Sequence, residues 1–84
     1  MADVITVRYF AGARAASGVD EEVLSVTGPQ PLPVLAMHLA ERHGPGLERV
    51  LRAASFLVNE TAGAPDRVVP VGATVDVLPP FAGG

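Results

Sequence analysis

Residues 5–10, Ile5-Thr6-Val7-Arg8-Tyr9-Phe10, alternate with a period of two. Successive side chains of an extended chain point to opposite sides, so Ile5, Val7 and Tyr9 share one face while Thr6, Arg8 and Phe10 share the other. The stretch predicts a first β-strand. Downstream, a loop holding Gly12 and Gly18 leads to Glu21-Glu22-Val23-Leu24-Ser25-Val26, a second alternating run that pairs most economically with the first as a hairpin. Glu21 and Glu22 point to opposite strand faces and are expected to be solvated.

Gly28-Pro29-Gln30-Pro31-Leu32-Pro33 reads as a turn, with prolines that fit only the first turn of a following helix. Leu32, Leu35, Ala36 and Leu39 then recur at helical spacing until Gly44-Pro45, a strong stop signal. A shorter helical stretch runs from Leu47 to Ala53. Ser55–Asn59, Arg67–Val71 and Thr74–Leu78 read as further strands. Strand, strand, helix and three strands is the element order of the α+β ubiquitin-like β-grasp fold. It implies a mixed sheet of four to five strands crossed by one main helix, with the first and last strands parallel neighbours. Ile5, Val7, Leu24, Val26, Leu35, Leu39, Val75 and Val77 are expected to meet under that helix. Strand parity places Leu78 with Thr74 and Asp76, opposite Val75 and Val77. Phe10 and Leu78 should then lie side by side on the face away from the helix, with Arg8 and Asp76 as a charge pair behind them.

The chain has 84 residues, enough for one domain with a modest core and too few for a core plus an enclosed active site. Hydrophobic residues make up 49%, and no apolar run approaches the roughly 20 residues of a membrane helix, so a soluble folded protein without a membrane role is expected. The strand pattern begins directly after Met1-Ala2-Asp3, without the basic and apolar prelude of a signal peptide, which points to the cytoplasm. A net charge of −3 and six scattered basic residues, all arginine, argue against nucleic acid as a partner. The absence of cysteine removes disulfides, thiolate metal sites and a cysteine nucleophile. His38 and His43 lie about 140° apart on a helix and cannot share a metal; they read as a surface and a helix-end histidine. Ser17, Ser25 and Ser55 occupy no nucleophile-like context. Gly12 and Gly18 lack the strand-to-helix spacing of a phosphate cradle. No catalytic residue and no bound metal or cofactor is expected.

The Val7-Arg8-Tyr9-Phe10-Ala11 opening with Arg14 soon after, the Ala40-Glu41-Arg42-His43 helix end, the Val58-Asn59 strand and above all the close, Leu78-Pro79-Pro80-Phe81-Ala82-Gly83-Gly84, resemble the ubiquitin-like sulfur carriers. Within them the pattern is most similar to the small subunit of molybdopterin synthase. Ala15, Pro31 and Phe81 depart from that pattern, standing where glutamate, a Ser or Thr helix cap, and valine are usual.

The resemblance implies a domain over residues 1–80 and an extended reactive tail over 81–84. An E1-like enzyme would use ATP to adenylate the carboxylate of Gly84, and a sulfur donor protein would convert it to a thiocarboxylate. The large catalytic subunit would then spend that sulfur on the dithiolene of molybdopterin. Pro79 and Pro80 would end the strand ladder, and Phe81, Ala82, Gly83 and Gly84 would thread narrow active sites that admit little side-chain bulk. Phe10, Leu78 and Phe81 are expected to anchor both partners in turn. A sulfur carrier for thiamin or cysteine synthesis, and a modifier conjugated to target lysines, are the alternatives that share the fold and the Gly-Gly end.

Overall fold

A computed structural model describes residues 3–80. The opening stretch forms β1 (Asp3–Tyr9), followed by α1 (Gly12–Ser17), β2 (Glu21–Val26), β3 (Gln30–Pro31), α2 (Leu32–His43), α3 (Pro45–Ala53), β4 (Ser55–Val58), β5 (Val68–Val69) and β6 (Thr74–Leu78). The main sheet has the order β2-β1-β6-β4, with β1 and β6 parallel and the outer pairs antiparallel. This is the ubiquitin-like β-grasp arrangement, and the parallel register sets Thr6 against Thr74, Arg8 against Asp76 and Tyr9 against Val77.

One face of the sheet is dry. Ile5, Val7, Tyr9, Val75 and Val77 are buried against Leu32, Leu35 and Leu39 of α2 and Leu47 and Leu51 of α3, with Val58, Val69 and Ala73 closing the cluster. Leu24 and Val26, assigned to this core from parity, pack against it only partly buried, because β2 is an edge strand.

Helix α2 starts at Pro31 without a side-chain cap; the amide of Leu32 instead donates to the Arg67 carbonyl at 2.8 Å. The residue just before β5 supplies what a serine or threonine usually supplies. The helix stops at Gly44, whose φ of 95° and ψ of −174° lie in a region that side chains penalise. The Gly44 amide closes the last turn on Ala40, and Gly44 also begins α3, so one residue turns the chain between two helices.

Three local expectations are corrected. The segment between Gly12 and Gly18 is the helical turn α1, with Ala13 fully buried; six residues are too few to display a helical period in sequence. Gln30–Pro31, read as turn, is β3. It pairs with Val68–Val69, so the strand expected around Arg67–Val71 builds a separate two-stranded sheet. Glu22, expected to be solvated, is about nine-tenths buried.

Candidate functional site: the open face of the sheet

The face of the sheet away from the helices carries the even-numbered residues of β1, beginning with Val4, Thr6 and Arg8 and continuing to Phe10 just past the strand end. Register places Glu21, Val23 and Ser25 of β2 beside them on one side and Thr74, Asp76 and Leu78 of β6 on the other. On β4, Leu57 stands opposite Asp76 and Ser55 opposite Leu78. The Phe10 amide donates to the Val77 carbonyl at 3.2 Å, extending the ladder by one step and making Phe10 and Leu78 neighbours, as parity predicts. Phe10 is 41% exposed. Leu78 is half-buried, and the described chain continues only through Pro79 and Pro80, so this apolar pair lies where the C-terminal segment leaves the sheet.

The charge pair behind them is present. Arg8 Nε donates to Asp76 Oδ1 at 2.6 Å and Nη2 to Oδ2 at 2.8 Å, a bidentate fork that accounts for an aspartate only 5% exposed within a strand. The hydrogen bond and charge of Asp76 raise the Arg8 pKa above its ordinary value against a smaller desolvation effect, with Glu60 and Glu21 adding to the rise. The Arg8 guanidinium carbon also lies 5.9 Å from the centre of the Phe10 ring, within cation–π range. Phe10 is therefore flanked by a fixed cation and by Leu78.

Sequence reasoning missed two features. Leu57 joins the open face, but Phe56, Leu57 and Val58 are all apolar and hide the parity of β4. Asn59 and Glu60, both at positive φ, form the two-residue turn between Val58 and Thr61. The Asn59 side-chain oxygen accepts from the Thr74 amide at 2.9 Å and its own amide donates to the Thr74 carbonyl at 2.8 Å, pinning that turn to the start of β6.

A second polar cluster lies on the helix side. Glu22 accepts from Tyr9 Oη at 2.6 Å and from Arg42 Nε at 2.6 Å, and pairs with His43 Nε2 at 2.5 Å. Burial alone would raise the Glu22 carboxyl, but the hydrogen bonds of Tyr9 and His43 with the charges of His43 and Arg42 hold it below the usual range. Burial, then the bond to Glu22, pushes the Tyr9 phenol well above its usual value. These contacts tie the end of α2 to β1 and β2. His43 is thus a helix-end histidine as read, with a partner the sequence did not reveal, and His38 is exposed. Among the described residues no group of three or more His, Cys, Asp or Glu could hold a metal, and no helix is long and apolar enough to cross a membrane. Phe81, Ala82, Gly83 and Gly84 lie outside the described residues.

The ThiS family model matches residues 7–84 of this chain. No curated protein matches it in sequence. Among solved structures, a putative molybdopterin converting factor subunit 1 from Pyrococcus furiosus is 24% identical, with a TM-score of 0.77 over 94% of this chain and 99% of that one. SAMP1, a small archaeal modifier protein from Haloferax volcanii, is 24% identical with a TM-score of 0.81 over 96% and 99%. A chain in the complex of subunits 1 and 2 of molybdopterin-converting factor from Helicobacter pylori is 21% identical with a TM-score of 0.67 over 96% and 99%. At these identities the likeness establishes the fold, whereas the family model spans the sequence from β1 to Gly84. The chain belongs to the ThiS family and has the ubiquitin-like β-grasp fold of the sulfur carriers.

Proposed function

We propose that this chain is the sulfur-donating small subunit of a molybdopterin synthase, working with a large catalytic subunit. The observation that carries the reading is the family match running through Gly84, on a chain whose last strand leads through Pro79 and Pro80 directly into Phe81-Ala82-Gly83-Gly84. Solved structures named as molybdopterin converting factor subunit 1, one of them in complex with subunit 2, support this pathway.

In this reading residues 1–80 are the domain and 81–84 the reactive tail. An E1-like enzyme binds the ATP, and the carboxylate of Gly84 attacks its α-phosphorus, releasing pyrophosphate and leaving an acyl adenylate. The outer sulfur of a donor protein's persulfide then attacks the acyl carbon and AMP departs; a second thiol breaks the remaining S–S bond, forming a disulfide with the donor and releasing the thiocarboxylate that carries the sulfur. Four residues extend about 13 Å at 3.3 Å each, sufficient to reach from the rim of the sheet into a partner's pocket. The carrier needs no cofactor of its own, and the catalytic groups belong to its partners. Phe10, Leu78 and Phe81 anchor both partners at the root of the tail, so the two bind one after the other.

The likeness to small archaeal modifier protein 1 supports a second reading, a modifier joined through Gly84 to target lysines. Intact-mass analysis of the protein from its own cells, with and without the large subunit, separates the two. Replacement of one oxygen by sulfur, discharged by a precursor pterin plus that subunit, is the expected result. Discharge only by thiamin or cysteine enzymes would move the chain to another pathway, and high-mass lysine adducts would favour the modifier.

A further inference from the structure

Arg8 carries more hydrogen-bonding capacity than the fold uses. A guanidinium presents five N–H donors in one plane. Nε and Nη2 face Asp76, while Nη1 has no hydrogen-bond partner among the described residues and the side chain is 41% exposed. Arg8 is not at a rim. It lies on β1, between β2 and β6, beside the Phe10 ring. A partner that covers Phe10 and Leu78 therefore covers Nη1 too. Removing the donors of an ionised group from water without giving them an acceptor is costly, and no rotation relieves it here, because Asp76 holds the fork in place.

We infer that Arg8 is a specificity-determining residue of this face, its Nη1 edge met in the complex by a neutral carbonyl oxygen of the docked protein. The inference rests on the reading that the open face is where partners dock. Charge on the page selects a carbonyl over a carboxylate. Asp76 already balances Arg8, Glu21 stands opposite Arg8 in register on the same face, and Glu60 lies close enough to act on it. A partner carboxylate would join a site whose net charge is already negative; a carbonyl accepts the same hydrogen bond without that repulsion. Because the fork is preset by Asp76, the direction of the acceptor is preset as well, which excludes partners that offer only apolar surface.

The test replaces the whole pair, Arg8→Met with Asp76→Val, so that no buried carboxylate is left alone. After a thermal melt confirms folding, the parent, this variant and Phe10→Ala are titrated calorimetrically against the large subunit and the activating enzyme from the same organism, at low and at high salt. The pair variant should bind at least one partner about tenfold or more weakly, the size expected for a hydrogen bond to a charged group, and equally so at both salt concentrations. If Phe10→Ala weakens binding while the pair variant matches the parent, the role of Arg8 is overturned and the docking face stands. If neither variant weakens binding, or the parent binds neither protein, both are overturned. A loss that vanishes at high salt would mean a partner carboxylate and overturn the neutral acceptor. Should the pair variant fail to fold, Arg8→Lys keeps a charge on Asp76 but lacks the second edge of the fork, and the same outcomes apply to it.

Discussion

Glu22 on β2 and His43 at the end of α2 stand 2.5 Å apart, oxygen to nitrogen, with the Tyr9 hydroxyl on the same carboxylate oxygen. The contact joins the edge strand to the main helix, and the two acids of the cluster are displaced in opposite directions, the Glu22 carboxyl downward and the Tyr9 phenol upward, so stability should depend on pH from both sides.

On the acid side, the Glu22 carboxyl is held below its ordinary value in the folded state. Its contribution is present above the unfolded carboxylate value of about 4.3 and is lost as pH falls through the lower folded value. Glu22→Gln should cost about 1.5–3 kcal/mol at neutral pH, the range for a hydrogen bond to a charged group, and should flatten the fall in melting temperature below about pH 4. An acid melting series as steep in the variant as in the parent would refute the assignment.

On the alkaline side the sign reverses. Tyr9 is the sole tyrosine of the chain, and its folded pKa is raised. Its contribution is complete below the ordinary phenol value of about 10 and is lost as pH rises through the folded value. Ultraviolet absorbance should show the phenolate appearing together with unfolding. Ionisation near pH 10 with the fold intact would contradict the burial.

Leu39 is 1% exposed where α2 meets the sheet. Leu39→Ala should lower stability by about 2–5 kcal/mol, the range for a buried leucine truncation. In a domain this small that approaches the whole stability. Thermal or urea melts measure it, and a variant that melts with its parent would mean the helix face is misplaced.

Gly44→Ala tests the joint between α2 and α3. Open space surrounds the added methyl, so the backbone alone resists it, at about 1–3 kcal/mol. A urea midpoint equal to the parent's would show that the joint relaxes freely.

Deleting Gly84, or replacing Gly83 by a bulky residue, should abolish sulfur loading while leaving the melting temperature unchanged, because among the described residues the buried cluster is built from positions between Ile5 and Val77. Mass spectrometry after incubation with the activating enzyme, ATP and a sulfur donor reads the outcome. Sulfur loading at the parent's rate would refute the proposed chemistry of the tail.

The sequence by itself determined the alternation of residues 5–10, the spacing of Leu32, Leu35 and Leu39, the stop at Gly44-Pro45, and the Gly-Gly close. These are local signals, set by the period of each element and by residues with special backbone freedom. Combined with one assumption, that the first and last strands run parallel, parity also fixed the positions of Phe10, Leu78, Arg8 and Asp76. Only the tertiary structure decided that Gln30–Pro31 and Val68–Val69 pair apart from the main sheet, that Leu57 faces outward, and that Glu22 is buried. Glu22 looks like any edge-strand carboxylate until α2 brings Arg42 and His43 over it. Pairings between distant segments depend on how two elements pack, and no periodicity within either segment records that.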